Sequence, residues 1–153
     1  MSEFIHTESI DIDRPPEQVY ELVSDITRTG EWSPQCRECW WDEGAGPVAG
    51  SWFTGRNQTP ARTWETRSLV TVADPGREFT WIVGGKWVRW SYSLAAQGAG
   101  TRLTESWEFL LAGREMFAEN YGDQAAERIA QRTAAAHSGI PETLATIKRI
   151  AES

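Results

Sequence analysis

Cys36 and Cys39 stand in a C-x-x-C spacing within WSPQCRECWW, and they are the only two cysteines in the chain. This spacing serves dithiol redox exchange or zinc ligation, or it simply places two small apolar side chains. A structural zinc site takes four Cys or His ligands. Beyond this pair the chain offers only His6 and His137, at opposite ends and without pair spacing. A thioredoxin-type pair sits where a strand enters a helix, whose end lowers the thiol pKa. Here the motif runs into Trp40 and Trp41 and an extended segment. In a regular strand the two α-carbons would stand ~10 Å apart at ~3.3 Å per residue, beyond the ~7 Å that a disulfide spans. The sequence therefore predicts two unbridged, metal-free, mostly buried thiols.

Other polar residues are candidates for contact with a ligand. Glu105 alternates with Leu103 and Trp107, so it faces the side they bury. A buried carboxylate must be paired, hydrogen-bonded or protonated. Glu105 is thus either a satisfied structural group or a ligand contact and general acid or base. His137 flanks a helical stripe and reads as an edge histidine or a ligand contact. Asn57 shares the face of Phe53 and could supply an amide. His6 shares the face of Ile10 but lies near the start of its strand. None of these forms a nucleophile–base–orienter set, so catalytic residues stay unassigned. GAGPVAG has no strand-to-helix context and is not a phosphate loop.

The elements that must position these groups follow from periodicity. FIHTESIDID puts Phe4, His6, Glu8, Ile10 and Ile12 on one strand face. RPPEQVYELVSDI changes period, with prolines in a first helical turn and Val19, Leu22, Val23 and Ile26 as an apolar stripe. Gly30 and Pro34 end that helical region. From Cys36 to Phe109 the chain reads as six strands joined by GAGP, DPG, GG and GAG turns, hence as antiparallel neighbours. From about Arg114 to Ala151 it reads as helix, with Ile129, Thr133, Ala136, Ile140, Leu144, Ile147 and Ala151 on one stripe. Pro141 should kink or split that helix near Gly139. The class is α+β: a helix-grip fold, with a seven-stranded antiparallel sheet curled around a long C-terminal helix and two short helices between strands 1 and 2.

Parity then sorts the aromatics. Trp64, Thr66, Ser68, Val70 and Val72 share a face, as do Phe79, Trp81 and Val83. So do Val88, Trp90, Tyr92 and Leu94, with Trp87 and Arg89 opposite, and Leu103, Glu105, Trp107 and Phe109. These faces should point at the helix. Nine tryptophans in 153 residues either fill a core or line a hollow that aliphatics would close. The expected ligand-binding set is Trp41, Phe53, Asn57, Trp64, Trp81, Trp90, Tyr92, Glu105, Trp107 and His137.

Length suits one domain over residues 1–153. The net charge of −7 opposes partnership with nucleic acid or an anionic membrane surface. MSEFIHTESIDID lacks a signal peptide's positive start and apolar core, and no apolar run reaches the ~18 residues that span a bilayer. The expectation is a cytoplasmic protein whose partner is a small hydrophobic molecule, with no cofactor, no nucleic acid and no membrane insertion; monomer and homodimer remain open.

The pieces IDIDRPPEQVYELVSD, WSPQCRECWW, GPVAGSWFTGRN, VTVADPGREFTW, WSYSL, GTRLTESWEF and GIPETLATIKRIAE carry a resemblance. In that order, over almost the whole chain, they resemble the SRPBCC (START/Bet v 1-like) superfamily, and within it the polyketide cyclase/dehydrase-like group of actinobacterial type. The resemblance implies a deep cavity for a small hydrophobic or amphipathic molecule. Two functions compete: a carrier or sensor of such a molecule, and a polyketide cyclase/aromatase-like enzyme. A protein-binding module of the helix-grip type is a third, and it would need an exposed apolar patch.

Overall fold

Strict alternation builds β1 (Ile5–Ile12): Ile5, Thr7 and Ser9 are exposed while His6, Glu8 and Ile10 are half-buried. The structure, a computed structural model, describes residues 3–153. Pro16 opens α1 (Pro16–Val23), where a missing N–H costs nothing, and the helix buries Val19, Tyr20, Leu22 and Val23. Asp25 then caps a 3-10 segment, Ile26–Glu31, by accepting the backbone N–H of Thr27 at 3.2 Å.

Six further strands follow: β2 (Cys36–Trp41), β3 (Trp52–Thr59), β4 (Arg62–Asp74), β5 (Glu78–Val83), β6 (Val88–Gln97) and β7 (Gly100–Phe109). They form one antiparallel sheet in the order β1-β7-β6-β5-β4-β3-β2. α2 (Leu111–Tyr121) and α3 (Ala125–Glu152) complete the chain. On α3, Ala136, Ile140, Leu144 and Ile147 are buried against the sheet side. The helix-grip expectation holds in strand count, order and sense.

Three local expectations are corrected. The C-terminal helix is split at Gly122, whose φ of 52° suits glycine, and not near Gly139. α3 runs unbroken through Pro141. Proline removes one bond to the carbonyl four residues back, while the fully buried Ile140, Leu144 and Ile147 hold both sides of that position in place. Second, the register shifts between Val70 and Val72, so Ala73 pairs with Phe79 and Val72 with Thr80. That bulge moves Val72 off the inner face. Third, Trp87 precedes β6 and sits in the Gly84–Gly85 turn, so strand parity does not govern it.

Gly30 locks the 3-10 segment onto the neighbouring strand. A Cβ there would stand 2.1 Å from the carbonyl oxygen of Arg37, a contact with rigid backbone. Gly30→Ala is therefore expected to cost about 1–3 kcal/mol, in the range of overpacking. Urea unfolding checks it; an unchanged midpoint would show that the segment shifts freely.

Candidate ligand cavity

A cavity of about 480 Å³ lies between the inner sheet face, α3 and the segment from Val23 to Cys36. Trp81 is the hub of its wall. Its ring centre lies 6.0 Å from Phe53, 5.7 Å from Phe79, 6.4 Å from Trp90 and 5.8 Å from Tyr92. Trp81 and Trp90 are nearly parallel, 16° apart, because they face each other across β5 and β6. A second ladder runs from Trp107 through Phe109 and Phe117 to Tyr121, with steps of 6.1, 5.2 and 5.2 Å. It carries the lining from the sheet onto α2. A wider hollow of about 810 Å³ beside Trp40, Glu43, Trp52 and Arg67 is open and more polar, which is the wrong character for enclosing an apolar ligand.

Phe53, Asn57, Trp64, Trp81, Trp90, Tyr92, Glu105 and Trp107 all line the cavity. Two residues expected there do not. Trp41 packs edge-on against Phe53 at 5.7 Å but borders the outer hollow. His137 is exposed; its ring stacks on His6 at 4.0 Å and meets Trp107 at its edge. Asn57 is held by its own donation to the Thr66 hydroxyl at 3.2 Å.

Glu105 is 4% exposed. Its Oε1 is fully buried and has no hydrogen-bond partner. Burial, then the charge of Glu8 opposite it on β1, pushes its pKa up to about 8. At neutral pH it is therefore mostly a neutral carboxylic acid, able to donate one hydrogen bond into the cavity. Its cross-strand neighbour Tyr92 is held neutral too, by burial first and by Glu105 second.

Both cysteines are free and line the same cavity. The extended-strand spacing does not apply to them. A bulge between Cys36 and Glu38 puts both side chains on the inner face, with Cys36 Sγ 3.1 Å from Cys39 Sγ. Among the described residues, no cluster of three or more His, Cys, Asp or Glu could hold a metal ion.

The sequence model of the family described as polyketide cyclase / dehydrase and lipid transport matches residues 4–137. The chain belongs to that family. This family member is 56% identical to a Polyketide_cyc-like protein of Corynebacterium glutamicum, over 96% of this chain and 90% of that one, with a TM-score of 0.72. It also shares its fold with two di-domain ARO/CYC proteins. One is StfQ from the steffimycin biosynthetic pathway (12% identity, TM-score 0.73), the other BexL from the BE-7585A pathway (17%, 0.72). It aligns over 97% and 99% of its own length but spans only 50% and 52% of theirs. No curated protein matches the sequence. No described helix is long and apolar enough to cross a membrane.

Several lining residues of this family member escaped the sequence reading. Trp32 is 4% exposed yet comes from a segment with no period. Arg62, Met116, Phe117 and Arg132 also line the cavity. Only the α2 aromatics carried a signal, since Phe117 and Tyr121 stand four residues apart on one helix face.

Proposed function

We propose that the protein binds a small, flat, aromatic or otherwise hydrophobic molecule between sheet and α3, as a carrier or sensor. The observation that carries this reading is the cavity itself: about 480 Å³, within the ~300–1,000 Å³ of ligand sites, with six of the nine tryptophans on its wall. The family, whose description includes lipid transport, supports it. So does the acidic balance of −7, which favours a small molecule over nucleic acid or an anionic membrane and is consistent with a cytoplasmic protein.

Glu105 favours a second reading, an enzyme of the cyclase/aromatase kind. A neutral carboxylic acid in an apolar cavity can protonate or polarise a carbonyl oxygen of a bound poly-ketone. The cavity would hold the chain folded, and Tyr92 would hold it against the same wall. Two solved structures of similar fold are ARO/CYC proteins, and that function enters here by likeness alone.

Quenching of tryptophan fluorescence by a panel of flat aromatic and polyketide-like compounds tests binding. At least one compound should bind at micromolar concentration, and Trp90→Ala should weaken its binding when the two proteins are compared by calorimetry. A panel in which nothing binds below millimolar defeats the carrier reading. Formation of a new ring-closed product from a bound poly-ketone, lost in Glu105→Gln, would favour the enzyme.

A further inference from the structure

Five of the arginines stack on tryptophan or tyrosine rings, and they divide into two kinds. On the outer face, Arg56 lies over Trp40 and Arg67 over Trp52. Both are neutralised: Arg56 pairs with Glu38 and Glu65, and Arg67 with Asp42. At the cavity, Arg62 and Arg132 both stack on Trp64, at 4.7 and 5.0 Å, and Arg128 stacks on Tyr121 at 4.3 Å. The side chain of none of these three makes an ion pair or hydrogen bond with any described residue. Arg62 is exposed and also lines the cavity, so this is an edge where cavity and solvent meet.

The three cations are close enough to disfavour one another. The charge on Arg132 is opposed first by burial and then by Arg62, with Arg128 adding to it, and no carboxylate relieves it. In a chain of net charge −7, three guanidinium groups left together without an acid form a preformed positive rim. Planar guanidinium groups match carboxylate and phosphate oxygens in paired hydrogen bonds, and aromatic stacking holds their planes in place.

We propose that Arg62, Arg128 and Arg132 form an anion-recognition rim, and that the cavity takes an amphiphile: a flat apolar body with a carboxylate or phosphate at one end. This rests on the cavity reading above and adds the ligand's charge and orientation. Trp81, Trp90 and Trp107 enclose the body, and the anion stays at the rim beside solvent, which spares its full desolvation.

Calorimetric titration with three probes tests it: 2-naphthoate, its methyl ester and 2-naphthyl phosphate. At least one anion should bind about tenfold or more tighter than the ester, in line with charged hydrogen bonds, and whichever anion binds tighter names the group. High salt should shrink the preference. Arg132→Gln and Arg62→Gln should each lower the ratio of anion to ester affinity. Equal binding of acid, phosphate and ester overturns the rim and leaves the cavity reading standing. Binding of none of the three overturns both. A preference that survives both substitutions also overturns the rim.

A different set of atoms carries a second proposal. Gly55 faces the two thiols, and a Cβ on it would stand 3.3 Å from Cys39 Sγ and 3.5 Å from Cys36 Sγ. The glycine thus opens the space that the pair occupies. From 3.1 Å, a sulfur–sulfur bond of ~2.05 Å needs an approach of only about 1 Å. The geometry points to a reversible two-electron modification site at Cys36 and Cys39, oxidised by hydrogen peroxide that enters the cavity. Cys39 is the attacking sulfur: hydrogen bonds from Cys36 and Thr29 hold its pKa down, while Cys36 is held up.

In the first step the Cys39 thiolate attacks a peroxide oxygen. A sulfur–oxygen bond forms, the oxygen–oxygen bond breaks, and hydroxide leaves as water after taking a proton. In the second step Cys36 attacks the sulfur of Cys39. The disulfide forms, the sulfur–oxygen bond breaks, and a second water leaves with the Cys36 proton. Two thiols and one peroxide give one disulfide and two waters; both sulfurs are oxidised and the peroxide is reduced.

Thiol titration and intact mass of the folded protein after peroxide treatment test it. Both thiols should disappear together, the monomer mass should fall by two hydrogens, and dithiothreitol should restore both. Cys36→Ser should instead gain oxygen on Cys39. Two thiols remaining in the parent, or oxygen addition or a cross-linked dimer in place of the mass loss, would overturn the assignment.

Discussion

Glu105→Gln is expected to be clearly more stable than the parent at pH 8, and nearly matched to it at pH 5. The parent carboxyl titrates near 8 when folded, against an ordinary value of 4.5. Between those two values the folded state holds a proton that the unfolded state has lost. Stability then falls as pH rises, because the native state binds more protons. The contribution is intact below about pH 4.5 and is lost as pH climbs through 8. At ~1.4 kcal/mol per unit, the parent should lose roughly 3–4 kcal/mol relative to the variant between pH 5 and 8. Glutamine cannot ionise, so its curve lacks this slope, and all other titrating groups cancel in the difference. Paired urea melts at several pH values give the result. A parallel pair of curves would mean that a cation or water reaches Oε1, and the proton-donor role of Glu105 would go with it.

The burial of Glu105 was legible from alternation alone. Leu103, Glu105 and Trp107 sit on an unbulged strand, paired residue by residue with β1 and β6, and period two is reliable where nothing interrupts it. The same reasoning failed where one extra residue enters a ladder. Nothing in the types of Arg37 or Thr71 marks a bulge, yet each bulge reverses the faces beyond it. It is the bulge at Cys36–Glu38 that turns two distant-looking cysteines into a contact pair. Helical periodicity found the buried stripe of α3 but overrated Pro141. Burial of Ile140 and Leu144 outweighs one missing bond, whereas Gly122, with little packed around it, lets the chain turn. The arginine rim was invisible for a different reason. Arg62 lies on the β3–β4 hairpin and Arg132 some seventy positions later on α3, so only tertiary packing brings both to Trp64.

Trp81→Ala is expected to abolish most ligand affinity while the fold survives. The indole meets the rings of Phe53, Phe79, Trp90 and Tyr92, and none of them can close the gap without leaving its own strand position. Loss of stability should be about 3 kcal/mol, the low end for a large aromatic cut to alanine, because Trp81 is only half-buried. The ligand loses more in proportion. A flat molecule covering about 100 Å² of the indole gains ~2.5 kcal/mol at ~25 cal/mol per Å², so affinity should fall between about tenfold and a hundredfold. Trp81→Phe keeps an aromatic face and should fall less. Trp52→Ala, which removes an outer-face ring under Arg67, should leave affinity unchanged. Calorimetry suits the comparison, since each variant alters the fluorescence it would otherwise be read by. Equal losses in Trp81→Ala and Trp52→Ala would mean that the ligand sits elsewhere. Unchanged affinity in Trp81→Ala would mean that the aromatic wall is core and not a binding surface.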